Sequence, residues 1–377
     1  MVLTTIGGFL QQFEMNDVTA LQELGFEVHY VSNFKNPIYD MDLEKLQKKG
    51  IKLHHIEIQK SPLRLIRNIK ALKQLLKVVA QEGIHIFHLH NPMGGVLGRV
   101  SALFYKDKAR YIIYTAHGFH FYKGAPFCNW LLYYPIERLL AGKTNCLITI
   151  NKEDYEQAKG FKLKQPGTVV RIPGVGVDIK RFAPAAGMRE KMRHELQVEE
   201  DIFYILSVGE LNHNKNHEVI LRAIAKLRNP RIHYGICGIG YRSEYLEELA
   251  VKLGIGQQFT LFGYKKNIPD MLQIADCFAF PSIREGLGIA AIEAMAAGIP
   301  LITSDCRGTR EYMQEGVNGY VCRSGSVEEY AQAILRIKES SEKREEMSAA
   351  CREKAKEFNL SRTSRIMQQL YKELPRD

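Results

Sequence analysis

The sequence predicts an α/β protein of two domains, and three observations carry that expectation. Short apolar runs of strand length alternate with helical segments along 377 residues. Glycine-bearing loops follow several of the runs, which is the strand–loop–helix order of parallel βαβ units. At Pro173-Gly-Val-Gly-Val-Asp178 the first set of strands ends, and a new one starts with Phe203 to Val208, so this proline–glycine cluster reads as an interdomain linker.

Composition narrows the class. Apolar content of 45% and charged content of 25% fit a soluble globular chain, and no apolar run reaches the roughly 20 residues needed to span a bilayer. No basic region followed by an apolar core opens the chain, so no secretory signal is expected. Seven cysteines stand far apart with no C-x-x-C pair, which points to reduced thiols in a cytoplasm and away from a disulfide frame or zinc site. The net charge of +10 calls for an acidic partner: nucleic acid, anionic lipid or a phosphorylated substrate. No basic–aromatic motif supports nucleic acid.

In chain order, Met1 to Thr5 reads as a strand running into Ile6-Gly7-Gly8, a loop with room for a ligand. Phe9 to Leu24 reads as a helix closed by Gly25, and Glu27 to Ser32 as the next strand. G-x-G-x-x-G is missing, so hydride-transfer dinucleotide binding is not supported. Ser61 to Gln81 reads as a helix with an apolar stripe of Leu65, Leu72, Leu76 and Val79. It also carries Arg64, Arg67, Lys70, Lys73 and Lys77 with no acid before Glu82. Two readings stand side by side: a solvated surface helix, or one resting on anionic lipid, where each basic residue adds about 1 kcal/mol.

Ile84 to His90 is a strand that leads into Asn91-Pro-Met-Gly-Gly, and Tyr111 to Ala116 is another that ends in His117-Gly118. A His at that place points above the carboxyl edge of the sheet. Such a residue is more often a structural hydrogen-bonder than a catalyst. Phe119, His120, Phe121 and Tyr122, with Trp130 to Pro135, form an aromatic region. It is either an acceptor- or lipid-facing lip or packing under a long loop. Cys146 to Ile150 is a strand, Asn151 with Asp154 caps the next helix, and Val169 to Ile172 closes the first set.

In the second half, Gly209 and Lys215 lie between the Phe203 strand and a helix from Glu218 to Leu227. Lys215, just before a helix N-terminus, can meet a diphosphate. Strands are expected at His233 to Cys237 and Phe259 to Phe262, and helices at Ile268 to Ala275 and from Thr309. The central stretch is Pro281 to Thr303: after the Cys277 to Phe280 strand comes a loop with Glu285, Gly286 and Gly288, an alanine-rich helix, and a further strand. Such a loop aims backbone N–H groups at an anion. Glu285 and Glu293 frame it with seven residues between them, and a carboxylate pairs well with a vicinal diol. The bland alternative is one solvated loop Glu and one satisfied helix Glu.

The stretch PSIREGLGIAAIEAMAAGIPLIT resembles the nucleotide-sugar site of the retaining glycosyltransferases of family 4, which have the GT-B architecture. Their E-x7-E pattern is matched by Glu285 and Glu293. The resemblance implies that Glu285 sits at the donor hexose as a catalytic residue and that Glu293 holds the ribose. It puts the amides of Gly286, Leu287 and Gly288 on the sugar and diphosphate. His117 would lie beside the transferred sugar as a catalytic residue, Gly7 and Gly8 would line the cleft, and Tyr264 would meet a uracil. Gly209 and Lys215 match the diphosphate clamp, with Lys215 catalytic, but Glu210 stands where Arg is usual. Either Lys215 and loop amides suffice, or another cation such as Arg284 substitutes. Asn91, Phe121 and Tyr122 fall on the acceptor side, together with the basic helix. Pro173 to Phe182 resembles the family's P-x-G-V-D-x-x-x-F stretch with an extra Gly-Val, and Ser361 to Leu374 resembles its crossing helix.

The implied fold is two doubly wound Rossmann-like domains facing a cleft. Residues 1–178, with the returning helix 361–377, form the acceptor side, and residues 179–360 the donor side. The implied reaction moves a hexose or N-acetylhexosamine, with retention, from a UDP-type donor. The acceptor would be a glycan or polyprenyl-diphosphate-linked saccharide in surface polysaccharide synthesis. GFHFYKG, YYPIER and INKEDY look like stretches of bacterial enzymes of that kind. No cofactor or metal is expected, because no Asp-x-Asp ends a strand. The expected place is the cytoplasm, peripheral on the inner face of the membrane. Two other classes stay open: an epimerase or hydrolase on the same fold, and a scaffold whose donor site Glu210 has weakened.

Overall fold

In the computed structural model, which describes residues 1–35, 37, 39–104 and 110–376, the apolar runs pair into two all-parallel sheets. The first contains β1 (Val2–Leu3), β2 (His29–Ser32), β3 (Lys52–His55), β4 (Ile86–His90), β5 (Tyr111–Ala116), β6 (Cys146–Thr149) and β7 (Thr168–Arg171). Their spatial order is β3-β2-β1-β4-β5-β6-β7. The second contains β8 (Phe203–Val208), β9 (Ile232–Cys237), β10 (Phe259–Gly263), β11 (Cys277–Phe280), β12 (Leu301–Ser304) and β13 (Gly319–Cys322), in the order β10-β9-β8-β11-β12-β13. In each sheet the chain starts inside and reverses direction beside its first strand, between β1 and β4 and between β8 and β11. Ligands of open α/β sheets bind at such switch points, beyond the carboxyl ends of the strands.

Helices on the faces explain why the strands read as continuous apolar runs rather than alternating ones. In the first sheet Leu3, Leu89, Ile112 and Leu147 pack with Ala71 and Leu75 of the Leu65–Gln81 helix. In the second, Ile205, Ile236 and Ile302 pack with Ile220 and Ile334.

The chain divides into two compact units, residues 1–175 with 361–377 and residues 176–360. In the second unit the two chain ends are stitched together: Val177 N donates to Phe358 O and Leu360 N to Val177 O, both at 2.9 Å. In the first, the Leu360–Lys372 helix is tied down by its own polar groups. Thr363 Oγ1 donates to Gly174 O at 3.2 Å, and Tyr371 OH donates to Asp17 Oδ2 at 2.6 Å.

Several local expectations are corrected. The helix expected from Phe9 to Leu24 is two, Phe9–Phe13 and Met15–Glu23, broken at Glu14, whose buried carboxyl lies against His90. The helix expected from Ser61 starts at Leu65, and its inward face is Asn68, Ala71, Leu75 and Val79. Asn68 turns inward because its side chain accepts from Gln59 N and donates to Ser61 O. Leu65 is therefore exposed, with Leu63, Ile66 and Ile69. The long loop expected beyond Lys123 contains a helix, Phe127–Ala141, that accommodates Pro135. Phe121, placed on the acceptor side from sequence, is fully buried: its ring stacks on Phe119 at 4.7 Å and meets Tyr134 edge-on. The helix expected from Thr309 is a single short turn, Thr309–Glu311.

Candidate active site

At the second switch point, two loops are laced together. Asn214 O accepts from Ile283 N at 2.8 Å, and Asn214 Nδ2 donates to Arg284 O at 2.9 Å. Asn216, in the left-handed region at φ 53, sends its Nδ2 to Pro281 O and Ser324 O. Asn212 Oδ1 accepts Lys215 N at 3.0 Å. The lacing brings Lys215 Nζ to 2.7 Å from Glu285 Oε1 and 4.9 Å from the centre of the Phe280 ring. Both charged side chains remain reachable, at 20% and 16% exposure.

Gly288 precedes the Ile289–Ala296 helix at φ 94, where a Cβ would come within 2.7 Å of the Phe280 ring, so glycine is required there. At Gly209 a Cβ would press on Lys215 Cε at 3.3 Å. The first amides of that helix have no partner within it and carry the positive end of its dipole. One turn on, Glu293 is partly buried; desolvation lifts its carboxyl to about 7, against the pull of Arg181. Leu287 is buried, so its side chain supports the loop and only its backbone is offered. Gly286 lies between it and Glu285, and Tyr264 is exposed beyond β10.

At the first switch point, Gly7 and Gly8 serve a purpose the sequence does not reveal. A Cβ on either would stand 2.5 Å from a carbonyl oxygen, of Asn33 and Tyr39 respectively, so the expected open room is occupied by the chain's own backbone. Asn91, at φ 63, accepts Thr5 N on its Oδ1. Tyr122 is partly exposed.

His117 follows β5, partly buried, with its ring edge-on to Phe9 at 5.1 Å. Its Nε2 lies 3.1 Å from His90 Nδ1, and that same nitrogen is 3.4 Å from Glu14 Oε1. Burial lowers His117 to about 4 and His88 to about 3, and holds His90 well below its ordinary value, so all three imidazoles are neutral at pH 7. Burial and the neighbouring Asp17 raise Glu14 far above the carboxylate range, and burial lifts Asp17 to about 6.

Metal-like spacing occurs twice among the described residues. Donor atoms of Glu14, His90 and His117 lie within 4.8 Å of one another, as do those of His29, His54 and Glu82. In the second group Lys52 Nζ lies 2.8 Å from Glu27 and 3.6 Å from Glu82, so an ammonium already supplies the positive charge.

Residues 188–354, which include Lys215, Glu285 and Glu293, match the family described as Glycosyl transferases group 1. Residues 8–151, which include His117, match Glycosyl transferase 4-like. The chain is 35% identical to EpsD of Bacillus subtilis (strain 168) over 97% of its own length and 94% of that protein's. This chain belongs to the group 1 glycosyltransferases. It is also 27% identical to the UDP-Gal:alpha-D-GlcNAc-diphosphoundecaprenol alpha-1,3-galactosyltransferase of Escherichia coli, over 73% of this chain and 72% of that one. Among solved structures, Anabaena HepE in complex with UDP matches with a TM-score of 0.78 at 17% identity, covering 99% of both chains. Sucrose-phosphate synthase from Thermosynechococcus elongatus matches with a TM-score of 0.78 at 19% identity, covering 98% of both. At such identities the likeness is one of fold. The fold of this group 1 glycosyltransferase is GT-B, with a seven-stranded and a six-stranded parallel sheet.

Three features of the second switch point are not legible in the sequence: the asparagine contacts at 212, 214 and 216, the contact of Arg307 with Glu285 O at 3.4 Å, and the Phe280 ring under Lys215. The His88-x-His90 alternation was the available signal for the histidine cluster.

Proposed function

We propose that this glycosyltransferase is retaining and metal-independent. It moves a hexose or N-acetylhexosamine from a UDP-sugar to a saccharide carried on polyprenyl diphosphate, in surface polysaccharide synthesis. One observation carries the reading: Lys215 and Glu285 form an accessible ion pair beside a glycine loop that opens a helix, with Glu293 on that helix. An arriving diphosphate exchanges with Glu285 for the Lys215 ammonium and meets the helix amides, which releases the Glu285 carboxylate toward the sugar. Glu293, once ionised, accepts two hydroxyls of a ribose. His117, neutral, offers a hydrogen-bonding edge beside the sugar without adding charge. The bond from the anomeric carbon to the diphosphate oxygen breaks and a bond from that carbon to the acceptor oxygen forms on the same face. The acceptor proton passes to the departing phosphate oxygen.

UDP in the HepE complex and the diphosphoundecaprenol acceptor in the E. coli relative's name support the choice of donor and acceptor. Membrane work is supported by an uncommon surface. The Phe127–Ala141 helix exposes Phe127 (80%), Leu131 (69%), Leu132, Ile136 and Leu139 (78%). Leu63, Leu65, Ile66 and Ile69 are exposed beside the basic residues Arg64, Arg67 and Lys70. No helix among the described residues is long and apolar enough to cross a membrane. Contact at the inner face of the membrane, by exposed apolar side chains and by the basic residues that alternate with them along residues 63–70, fits these two features.

The test is transfer from a panel of UDP-sugars to a synthetic polyprenyl-diphosphate-linked saccharide, with chelator present and the product's anomeric configuration read by NMR. An α-linked product from an α-linked donor is expected. Sugar release without acceptor would instead select the hydrolase reading, and neither binding nor turnover would select the scaffold.

A further inference from the structure

His90 ends β4 and His117 follows β5, the strand beside it, and both rings pack on Phe9, at 5.6 and 5.1 Å between centres. A neutral imidazole carries its proton on one of two nitrogens, and the partners of each nitrogen decide which. For His90 the two sides differ. Nδ1 faces two groups, His117 Nε2 at 3.1 Å and Glu14 Oε1 at 3.4 Å. Nε2 is buried and has no hydrogen-bond partner among the described residues. A proton on Nε2 would be a buried donor with nothing to accept it, and the Nδ1 lone pair would then face the Glu14 oxygen. A proton on Nδ1 meets two acceptors instead.

Glu14 accepts in that arrangement because its own proton is claimed elsewhere. Asp17 stands beside it, and two carboxyl groups in contact hold a proton between them. That proton sits on Glu14 and points to Asp17, which leaves a lone pair of Glu14 Oε1 for His90. Asp17 Oδ2 also accepts the Tyr371 hydroxyl at 2.6 Å. The Tyr371 oxygen takes the proton of His88 Nδ1 at 3.1 Å, and Thr115 Oγ1 donates to His88 Nε2 at 2.9 Å. Every proton of the buried network then has an acceptor.

The consequence falls on His117. Its Nε2 lone pair receives the His90 proton, so its own proton is on Nδ1. The bond to His90 is the only hydrogen bond of the His117 ring among the described residues, and His117 is the partly exposed member of the cluster. We propose that His90 is a positioning residue: it fixes His117 as the Nδ1–H tautomer, so that His117 meets the transferred sugar as a hydrogen-bond donor to one of its oxygen atoms. The inference rests on the place given to His117 beside the sugar. It also removes His117 as the base for the acceptor, because the nitrogen left to a ligand has no lone pair. Passage of the acceptor proton to the departing phosphate oxygen agrees with that.

Proton–nitrogen NMR of the histidine rings separates nitrogens that carry a proton from those that do not. The native chain, His90→Leu and His90→Asn are compared without ligand, the His117 signals being assigned by their loss in His117→Gln. In the native chain the His117 proton is expected on Nδ1. His90→Leu removes the donor, so Nε2 takes up the proton in part. Sugar transfer then falls about 10-fold with UDP affinity unchanged, the loss of one hydrogen bond. His90→Asn, whose amide N–H can donate in place of Nδ1–H, restores the tautomer and most of the transfer. A native His117 with its proton on Nε2 overturns the proposal, whatever the variants do. His90→Leu that loses transfer while His117 keeps Nδ1–H overturns it too, since His90 would then only fill space, as does His90→Leu with transfer unchanged. A native chain with the expected tautomer that neither binds UDP nor transfers sugar sinks the donor-site reading, and the sugar contact with it.

Discussion

His90 Nδ1 stands 3.1 Å from His117 Nε2, so the partly exposed imidazole at the end of β5 is held from behind by a fully buried one. The buried ring is fixed in turn by Glu14 at 3.4 Å and by close contact with the His88 ring, whose centre is 4.2 Å away. An imidazole held in that way keeps one orientation and, with its pKa at about 4, one charge. His117→Ala is expected to lower the transfer rate roughly 10- to 100-fold while UDP affinity changes less than about twofold. Steady-state kinetics beside calorimetry would show the split, and an equal loss in both would remove His117 from the reacting end of the donor.

Glu293 should make donor binding pH-dependent. Its folded value of about 7 lies above its ordinary 4.5, so the folded chain holds a proton that the unfolded chain releases. Stability from this group is therefore full below about pH 4.5 and falls as pH rises to about 7. Ribose binding needs the carboxylate, so UDP affinity should rise between pH 6 and 8. Glu293→Gln should flatten that rise at a lower affinity, and should raise the melting temperature at pH 8 but not at pH 4. A native affinity independent of pH would contradict the role given to Glu293.

Asp17 and Tyr371 invite a parallel test within the first unit. Burial raises Asp17 to about 6, and the Tyr371 hydroxyl, which also lies 3.1 Å from His88 Nδ1, holds it below where burial alone would put it. Because the folded value is the raised one, this group's stabilisation is lost as pH climbs from about 4 to about 6. Asp17→Asn should make melting temperature less dependent on pH across that window. Tyr371→Phe should cost roughly 1–3 kcal/mol, with a steeper decline above pH 6. Thermal melts from pH 4 to 8 would decide.

The apolar face of the Phe127–Ala141 helix gives a fourth expectation. Leu131→Glu with Leu139→Glu should reduce co-sedimentation with anionic vesicles about tenfold or more, without changing transfer to a water-soluble acceptor. Lys70→Glu with Lys73→Glu should reduce it mainly at low salt. Full sedimentation of both variants would assign this surface to something other than lipid.

What could be read from sequence was whatever depends on residues close together in the chain. The Glu285–Glu293 spacing, the glycine loop between them and the Asn151–Asp154 cap are local patterns, and the cap forms as expected, with Asn151 Oδ1 accepting Asp154 N at 2.8 Å. Relations across the fold were not legible. Lys215 and Glu285 are seventy positions apart, and their pairing needs three asparagine side chains whose partners no spacing reveals. Phe121 looked like a surface aromatic because an aromatic cluster reads alike whether it lines a lip or fills a core; only packing against Phe119, Trp130 and Tyr134 distinguishes them.

The stitched ends of the second unit set an order on biosynthesis. Residues 176–360 emerge from the ribosome as one continuous stretch whose two ends already meet, so that unit can close as soon as it is made. The first unit cannot. Its strands are translated before position 176, yet the hydroxyl that donates to Asp17 and touches His88 belongs to Tyr371, so the earlier-made part waits through about 195 further residues for that partner. In sequence terms, the later unit has all its contacts within one unbroken stretch, whereas the earlier one closes only with the last helix.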